Sequence, residues 1–492
     1  MVRQAPHLLT AALLGVVAAQ GFAPANIPVL TLGSLAGLFH LIRLSRPART
    51  FWIVTSFSVA LWFVALRWLP KAFEIMDPPA IPAGWLALSA LSALLSLFWS
   101  VPFALARRFA SRGAGPRLLA TGSLFAIGEW ARSTSVVGFA WNPLGAIWLD
   151  VPAIVRSASY IGITGLSLGT LLSAGLLQHA IRYPRGAAAS LGFVGALVLL
   201  LGRMSPAPPD TDQKVALIQG NIPQAVKWDE DQLDRQVETY LELTAIASLL
   251  ARGMLVFWPE AAVPYVLEDR SAVLERIGKT LQTDDVLFAG ALGRGPAGEY
   301  ANSVYLIDAS GQIQGRYDKR ILVPFGEYVP FEPLLEMLGL AQSAPGRNAL
   351  AAGPTVPTIP LADGKAGIAI CFEATFPGFG PGFAVRPDYI VNPSNDAWFG
   401  PAGAPQHLAQ ARVRAIESGL PVLRATQTGI TAIIRSDGSI AAHLDRGDRG
   451  ALIGRLPAAA GETVVSKLGA SYLILYIIGF SGSILLFRRR GQ

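Results

Sequence analysis

Gly367-Ile368-Ala369-Ile370-Cys371-Phe372-Glu373-Ala374-Thr375 holds the only cysteine in a chain of 492 residues. An apolar, β-branched run leads into the thiol and stops at Glu373, so the spacing predicts a short buried strand that delivers Cys371 to the turn at its end. A nucleophile belongs at such a turn, but so does a buried structural cysteine. Two other fragments help decide between them, because each also ends on a reactive side chain. Phe257-Trp258-Pro259-Glu260 leaves a carboxylate at a strand end, with a proline that stops the ladder. The stretch from Arg316 to Pro330 supplies the ammonium of Lys319 and, farther on, Glu327. A carboxylate, an amine and a thiol suffice for acyl transfer: the first takes the thiol proton, the thiolate attacks a carbonyl, and the ammonium stabilises the oxyanion. Taken singly, Glu260 reads equally well as a strand-end cap, Lys319 as a loop base and Glu327 as a salt-bridge partner.

Around this set the texture of the chain is α/β. From Lys214 to Leu456, short β-rich runs (215–219, 255–258, 286–289, 303–307, 367–371, 389–392, 421–424 and 431–434) alternate with helical periodicity over 229–250 and 406–418. The rest is different. The composition is 52% hydrophobic and 15% charged, with mean hydropathy +0.43, which is too apolar for an ordinary soluble protein. Residues 1–203 read as seven membrane spans near 8–21, 27–42, 51–66, 84–106, 118–131, 154–181 and 187–201. An eighth, 468–487, lies in the C-terminal segment 457–492, and the proline-rich 204–213 is a linker. A cleaved signal peptide is the competing reading of the first span.

The excess of +7 charges does not point to nucleic acid. Arginines gather in the gaps between apolar runs: Arg43, Arg46 and Arg49; Arg107, Arg108, Arg112 and Arg117; Arg182 and Arg185; and Arg488 to Arg490. With the N-terminus inside, every cluster falls on the cytoplasmic side, both termini are cytoplasmic, and 214–456 is on the opposite, periplasmic face. Two outer loops stand out. Residues 67–82, with Trp68, Lys71 and Glu74, are expected to lie at the bilayer surface, and Trp130, Phe139 and Trp141 to act as interfacial anchors. Glu129 and Arg132, at the end of a span, are a weak functional hint.

In their order Glu260, Lys319, Cys371, the three reactive residues resemble the triad of the nitrilase superfamily, which implies an α-β-β-α sandwich. Gln219 to Gln224 with Lys227 to Glu230, the 322–330 loop, Asn395 to Gly400, Gln406-His407 and Ala411 to Ala415 narrow the resemblance to the bacterial apolipoprotein N-acyltransferases, as does the eight-span layout. That resemblance implies transfer of an acyl chain from a membrane phospholipid to the N-terminal amine of a diacylglyceryl-cysteine apolipoprotein, in the inner membrane, by a monomer. It makes Glu260 the base, Lys319 the oxyanion lysine and Cys371 the acylated nucleophile, with Glu327 and Glu373 as further active-site carboxylates and Trp228 on a loop near the cavity. Phe372 departs from the tyrosine common after the cysteine, which keeps the backbone N–H and loses the phenol. On the polar residues of 406–418, His407, Arg412, Arg414 and Glu417, a solvated or salt-bridged face is expected rather than headgroup contact. His407 and His443 lack the spacing of a metal site and no phosphate loop is visible, so neither metal nor cofactor is implied.

Overall fold

The computed structural model describes residues 5–75, 79–109, 113–134, 138–181, 183–206, 208–329, 337, 350–353, 358–361, 364–377, 385–472, 474, 476–478 and 481–482. Asp77, Arg112, Arg182, Ala207, Pro330, the end of the expected eighth span and Arg488 to Arg490 lie outside them.

The N-terminal region is helical: α1 (Ala5–Ala18), α2 (Pro28–Leu44), α3 (Thr50–Ala65), α4 (Leu69–Glu74), α5 (Ile81–Phe109), α6 (Ala114–Thr134), α7 (Pro152–Val155), α8 (Ala158–Ala180) and α9 (Pro184–Arg203). Among the described residues four stretches, Pro47–Ala65, Ile81–Phe109, Ala158–Ala180 and Pro184–Arg203, are long and apolar enough to cross a membrane. The first two expected spans form helices of 14 and 17 residues, about 21 and 26 Å long at ~1.5 Å per residue. The fifth lies in the 21-residue α6, which carries Arg117, Glu129 and Arg132. The bundle buries several of its serines and exposes several of its large apolar side chains. Ser58, Ser92, Ser96 and Ser100 are buried while Leu9, Trp52, Leu86 and Phe193 are exposed, the distribution that suits lipid as the solvent.

The rest of the described chain forms two facing sheets. Strands β1 (Asp210–Gln219), β2 (Met254–Phe257), β3 (Val263–Val266), β4 (Val286–Arg294), β5 (Tyr300–Asp308), β6 (Ile313–Asp318), β7 (Thr358–Leu361), β8 (Gly364–Ile368), β9 (Tyr389–Val391), β10 (Val422–Arg424), β11 (Thr431–Ile434), β12 (Ile440–Leu444) and β13 (Gly450–Pro457) follow in chain order. The first sheet runs β13-β1-β2-β4-β5-β6, with β3 also on β4; the second runs β12-β11-β10-β9-β8-β7. In each, the central strands are parallel: β1, β2 and β4 in one, β8, β9 and β10 in the other.

Alternation along the strands makes the layers. On β1, Val215 and Leu217 join Phe257, Phe288, Ile368, Val391 and Leu423 in the core between the sheets, while Ala216 and Ile218 face Val237, Tyr240 and Ile277 of α10 (Leu233–Leu250) and α11 (Ser271–Thr280). Beyond the second sheet lies α12 (Gly400–Ser418), whose Leu408, Ala411 and Ala415 cover Ile390, Val422 and Ile434. The architecture is therefore α-β-β-α. Gly419 ends α12 in the left-handed conformation, φ +67°, where a β-carbon would also meet the Gly461 carbonyl oxygen at 2.8 Å.

The opposite side of α12 does not face water. Ala409, Val413 and Ile416 pack on Ala146, Leu149, Val155, Ile163 and Leu166 of the helical region. This corrects two expectations, while Arg412 keeps to the expected salt-bridged face. Trp68 and Trp141 are buried, both indole N–H groups donate to Gln406 Oε1, at 3.0 and 2.8 Å, and both rings pack on Phe399; they tie the two regions together rather than anchor a bilayer surface. His407, Arg414 and Glu417 are buried, not solvated, though Arg414 and Glu417 do form the expected ion pair. Arg412 reaches across to Asp150 and to the carbonyl of Leu149.

Candidate active site

Three strand ends converge at one edge of the sandwich. β2 stops at Phe257 because Pro259 has no N–H to give, and the chain turns through Glu260 into Ala261, at φ +47°. That turn lies against β4: a β-carbon on Gly290 would come within 2.1 Å of the Pro259 carbonyl oxygen, so only glycine fits beneath it. β6 ends at Asp318, and Lys319 is pinned by its N–H to the Asn302 carbonyl at 2.8 Å. The expected strand before the cysteine stops three residues early, at Ile368. Cys371 then opens a 3-10 turn, Cys371–Thr375, at φ +49°, and its N–H donates to the Pro393 carbonyl at 2.8 Å. A non-glycine residue held there is strained backbone, and the surrounding bonds over-determine it.

Lys319 Nζ lies 3.0 Å from Glu260 Oε1 and 2.9 Å from Glu327 Oε1. The Asn302 side-chain amide donates to both carboxylates, at 2.7 and 3.1 Å. Glu260 Oε2 accepts the Asn395 N–H at 2.8 Å, and Glu327 Oε2 that of Val323 at 2.8 Å. Glu260, Lys319 and Glu327 therefore meet, and Cys371 lies near enough to feel the charges of Glu260 and Lys319.

Glu373 is fully buried and points away from this group. Its Oε1 accepts the N–H groups of Arg320 and Ile321, its Oε2 that of Ile370, and the Tyr317 hydroxyl donates to both oxygens. It fastens the Lys319 segment to the residue before the nucleophile. Phe372 joins the core of the helical region and packs edge-on to Phe376 at 5.0 Å, so its ring serves the contact between regions. Trp228 is half-exposed.

Several functional groups were not foreseen. Lys227 is buried beneath the site, donating to Gln427 Oε1 at 2.7 Å and to the Glu260 carbonyl at 3.3 Å, with its ammonium 5.5 Å from the Trp228 ring. Asp396, Arg424 and His407 form a buried knot in which Arg424 bonds both Asp396 oxygens and His407 Nδ1 lies 2.8 Å from Asp396 Oδ1. His407 Nε2 is 3.2 Å from the carbonyl oxygen of Cys371. The stretches holding Lys227, Asp396 and His407 were notable in the sequence, but the pairing of a helix residue with a distant strand arginine leaves no periodic signal.

The electrostatics follow from burial. Desolvation drives the Cys371 thiol well above its usual pKa, Glu260 adds to this, and Lys319 only partly opposes it, so the resting group is a thiol. Burial pushes Glu260 up, but Lys319 and Lys227 outweigh it and leave it below the ordinary range. Burial works against the Lys319 charge, but Glu260 and Glu327 hold it well above a free lysine. Burial lowers Lys227 to about 8 against the pull of Glu260, and raises Glu373 to about 7 against its N–H donors. No group of three His, Cys, Asp or Glu side chains that could hold a metal occurs among the described residues.

Residues 214–464 match the carbon-nitrogen hydrolase family and residues 14–176 the apolipoprotein N-acyltransferase N-terminal domain. An apolipoprotein N-acyltransferase of Rhizobium etli is 37% identical over 412 residues, spanning 79% of this chain and 77% of that one. Its counterpart in Rhizobium rhizogenes is 35% identical over 453 residues, spanning 87% and 84%. Among solved structures, an amidase from Nesterenkonia sp. is 17% identical, with a TM-score of 0.40, over 55% of this chain and 98% of that one. From the first strand pair to the helices that α12 packs against, the chain belongs to the apolipoprotein N-acyltransferase family.

Proposed function

We propose that this protein transfers an acyl chain from a membrane phospholipid, through a thioester on Cys371, to the N-terminal amine of the diacylglyceryl-cysteine of an apolipoprotein, the last step of lipoprotein maturation. The observation that carries the reading is the meeting of Glu260, Lys319 and Cys371 on strand ends beside a turn whose next residue, Phe372, packs into the apolar helical region. In the first half-reaction Sγ attacks the ester carbonyl while Glu260 takes the thiol proton. The Lys319 ammonium stabilises the oxyanion. The C–O bond breaks, and Glu260 returns the proton to the departing lysophospholipid oxygen. In the second, the lipoprotein amine attacks the thioester, gives a proton to Glu260, and expels Cys371, which takes that proton back. Glu327 keeps Lys319 charged, Glu373 and Phe372 hold the turn, and Trp228 borders the entrance. No cofactor takes part.

The same reading assigns 1–203 to a seven-span membrane domain, 204–213 to a linker, 214–456 to the catalytic sandwich and 457–492 to a final span and tail. The enzyme is then a monomer of the inner membrane, about eight spans in all, with the sandwich periplasmic and both termini cytoplasmic. Support comes from the four long apolar helices and the arginine-rich gaps.

Intact-protein mass spectrometry on the detergent-purified enzyme tests the chemistry. Phospholipid should add one acyl chain at Cys371, and a diacylated lipopeptide should then take it. Loss of the chain to water at the same rate without peptide would instead make the protein a hydrolase.

A further inference from the structure

Gln406 and His407 are neighbours in α12, and between them they touch both halves of the molecule. Gln406 Oε1 accepts from the indoles of Trp68 and Trp141 and from the Asn142 amide, at 3.0, 2.8 and 3.1 Å. Its Nε2 donates to the carbonyls of Ala23 and Ala65, at 3.0 and 2.9 Å. All five partners belong to the helical region, and the side chain is buried. The loop bearing Trp141 and Asn142 is in turn fixed by Arg132, which donates to the carbonyls of Phe139 and Trp141, and by Glu129, which accepts the Leu144 N–H.

One residue on, the fully buried His407 has Nε2 at 3.2 Å from the Cys371 carbonyl oxygen. That carbonyl belongs to the residue held at φ +49°, and its remaining neighbour is the Asn392 amide at a long 3.4 Å. Asp396 and Arg424 clamp the other ring nitrogen, and Trp141 and Phe399 pack on the ring, with centroids 5.4 and 5.0 Å away. Neither side chain reaches the Glu260–Lys319 group. Their chemistry is to set where the backbone of the nucleophile sits.

We infer that Gln406 and His407 are positioning residues for acylation of Cys371, through which the packing of the membrane half fixes the strained main chain of the nucleophile. The inference rests on the thioester reading above. With the Nε2–H tautomer, which the facing Cys371 carbonyl requires, His407→Phe keeps the ring and its packing and removes the donor; His407→Gln restores an N–H of similar reach. Gln406→Glu keeps the acceptor for Trp68, Trp141 and Asn142 and loses both donors, a milder change that serves if His407→Phe does not fold. The measurement is the rate of acyl-enzyme formation on the full-length protein in detergent over a range of phospholipid concentrations, with iodoacetamide labelling of Cys371 alongside.

Expected are a loss of ~10-fold or more in the maximal acylation rate for His407→Phe, recovery to within ~3-fold in His407→Gln, and a loss of ~3-fold or more in Gln406→Glu. The half-saturating phospholipid concentration should not change, and alkylation should slow in parallel. Wild-type acylation rates in both the folded phenylalanine and the glutamate variants overturn the inference, as do losses confined to half-saturation or left unrescued by His407→Gln. A wild-type enzyme that forms no thioester is a different failure, that of the acyltransferase reading itself.

Discussion

Of the buried ion pairs among the described residues, two, one in each region, invite comparison: Arg132 with Glu129, and Lys319 with Glu260 and Glu327. In the helical region Arg132 is fully buried; it bonds both oxygens of Glu129 and the carbonyls of Phe139 and Trp141, and its guanidinium lies 4.9 Å from the Trp62 ring. Glu129 also accepts from the Trp99 indole and the Leu144 N–H. Four of the five guanidinium N–H groups are occupied, and each carboxylate oxygen accepts two bonds. In the sandwich, Lys319 has three N–H groups and two carboxylate partners, Glu260 and Glu327, which leaves one donor in hand. Burial, charge and one spare N–H are common to both cations; what separates them is their partners, since Arg132 spends two donors on loop carbonyls while Lys319 bonds only carboxylates, beside the nucleophile.

If this contrast is right, the two cations fail differently when removed. Arg132→Met leaves Glu129 buried without its counter-charge and strands two carbonyls, so stability should fall by roughly 3–5 kcal/mol. Thermal unfolding in detergent would register this, and Glu129→Gln/Arg132→Met should recover part of it. An Arg132→Met protein of wild-type stability but no acylation would place Arg132 in the chemistry and erase the distinction.

Lys319→Met is the counterpart. It should slow acyl-enzyme formation by ~10²-fold or more, as loss of an oxyanion donor does. Its melting temperature should fall less than that of Arg132→Met, because Asn302, Asn395 and Val323 still serve the two carboxylates. Undiminished thioester formation in this variant would take Lys319 out of the oxyanion role.

The sequence showed this site well because each reacting group ends a strand, and strand ends carry local marks: Pro259 before Glu260, Asp318 before Lys319, and the apolar run before Cys371. It showed the strands in parallel positions best. β3, β6, β7, β12 and β13 were not expected; Pro264 interrupts the buried run of β3, and β6, β12 and β13 are only partly buried. The contact between regions was invisible for a different reason. Trp68, Trp141 and Gln406 lie far apart along the chain, and an indole that anchors to a headgroup looks in sequence like one that donates to a glutamine. The role of Glu373 was legible as a carboxylate beside the nucleophile, but not its direction, which is set by Tyr317 on the opposite sheet.

Glu373 sharpens the comparison because its hydrogen-bond partners are N–H and O–H donors only, with no ammonium or guanidinium among them. Burial raises its pKa from 4.5 to about 7, with the backbone donors opposing. A carboxyl whose folded pKa is raised binds its proton more tightly in the folded state. It therefore contributes stability that is complete below the unfolded pKa and is lost as pH climbs through about 7. Over pH 5 to 8 the loss amounts to about 2 kcal/mol at ~1.4 kcal/mol per pH unit. Glu373→Gln cannot titrate, and its amide meets the same N–H donors less well, so the variant should be less stable throughout. The useful quantity is the difference between wild type and variant, which should shrink by that amount from pH 5 to pH 8 in unfolding measurements. A difference that stays constant would mean that four donors keep Glu373 ionised across the whole range, making it a buried carboxylate satisfied on both oxygens, like Glu129 but without a cation.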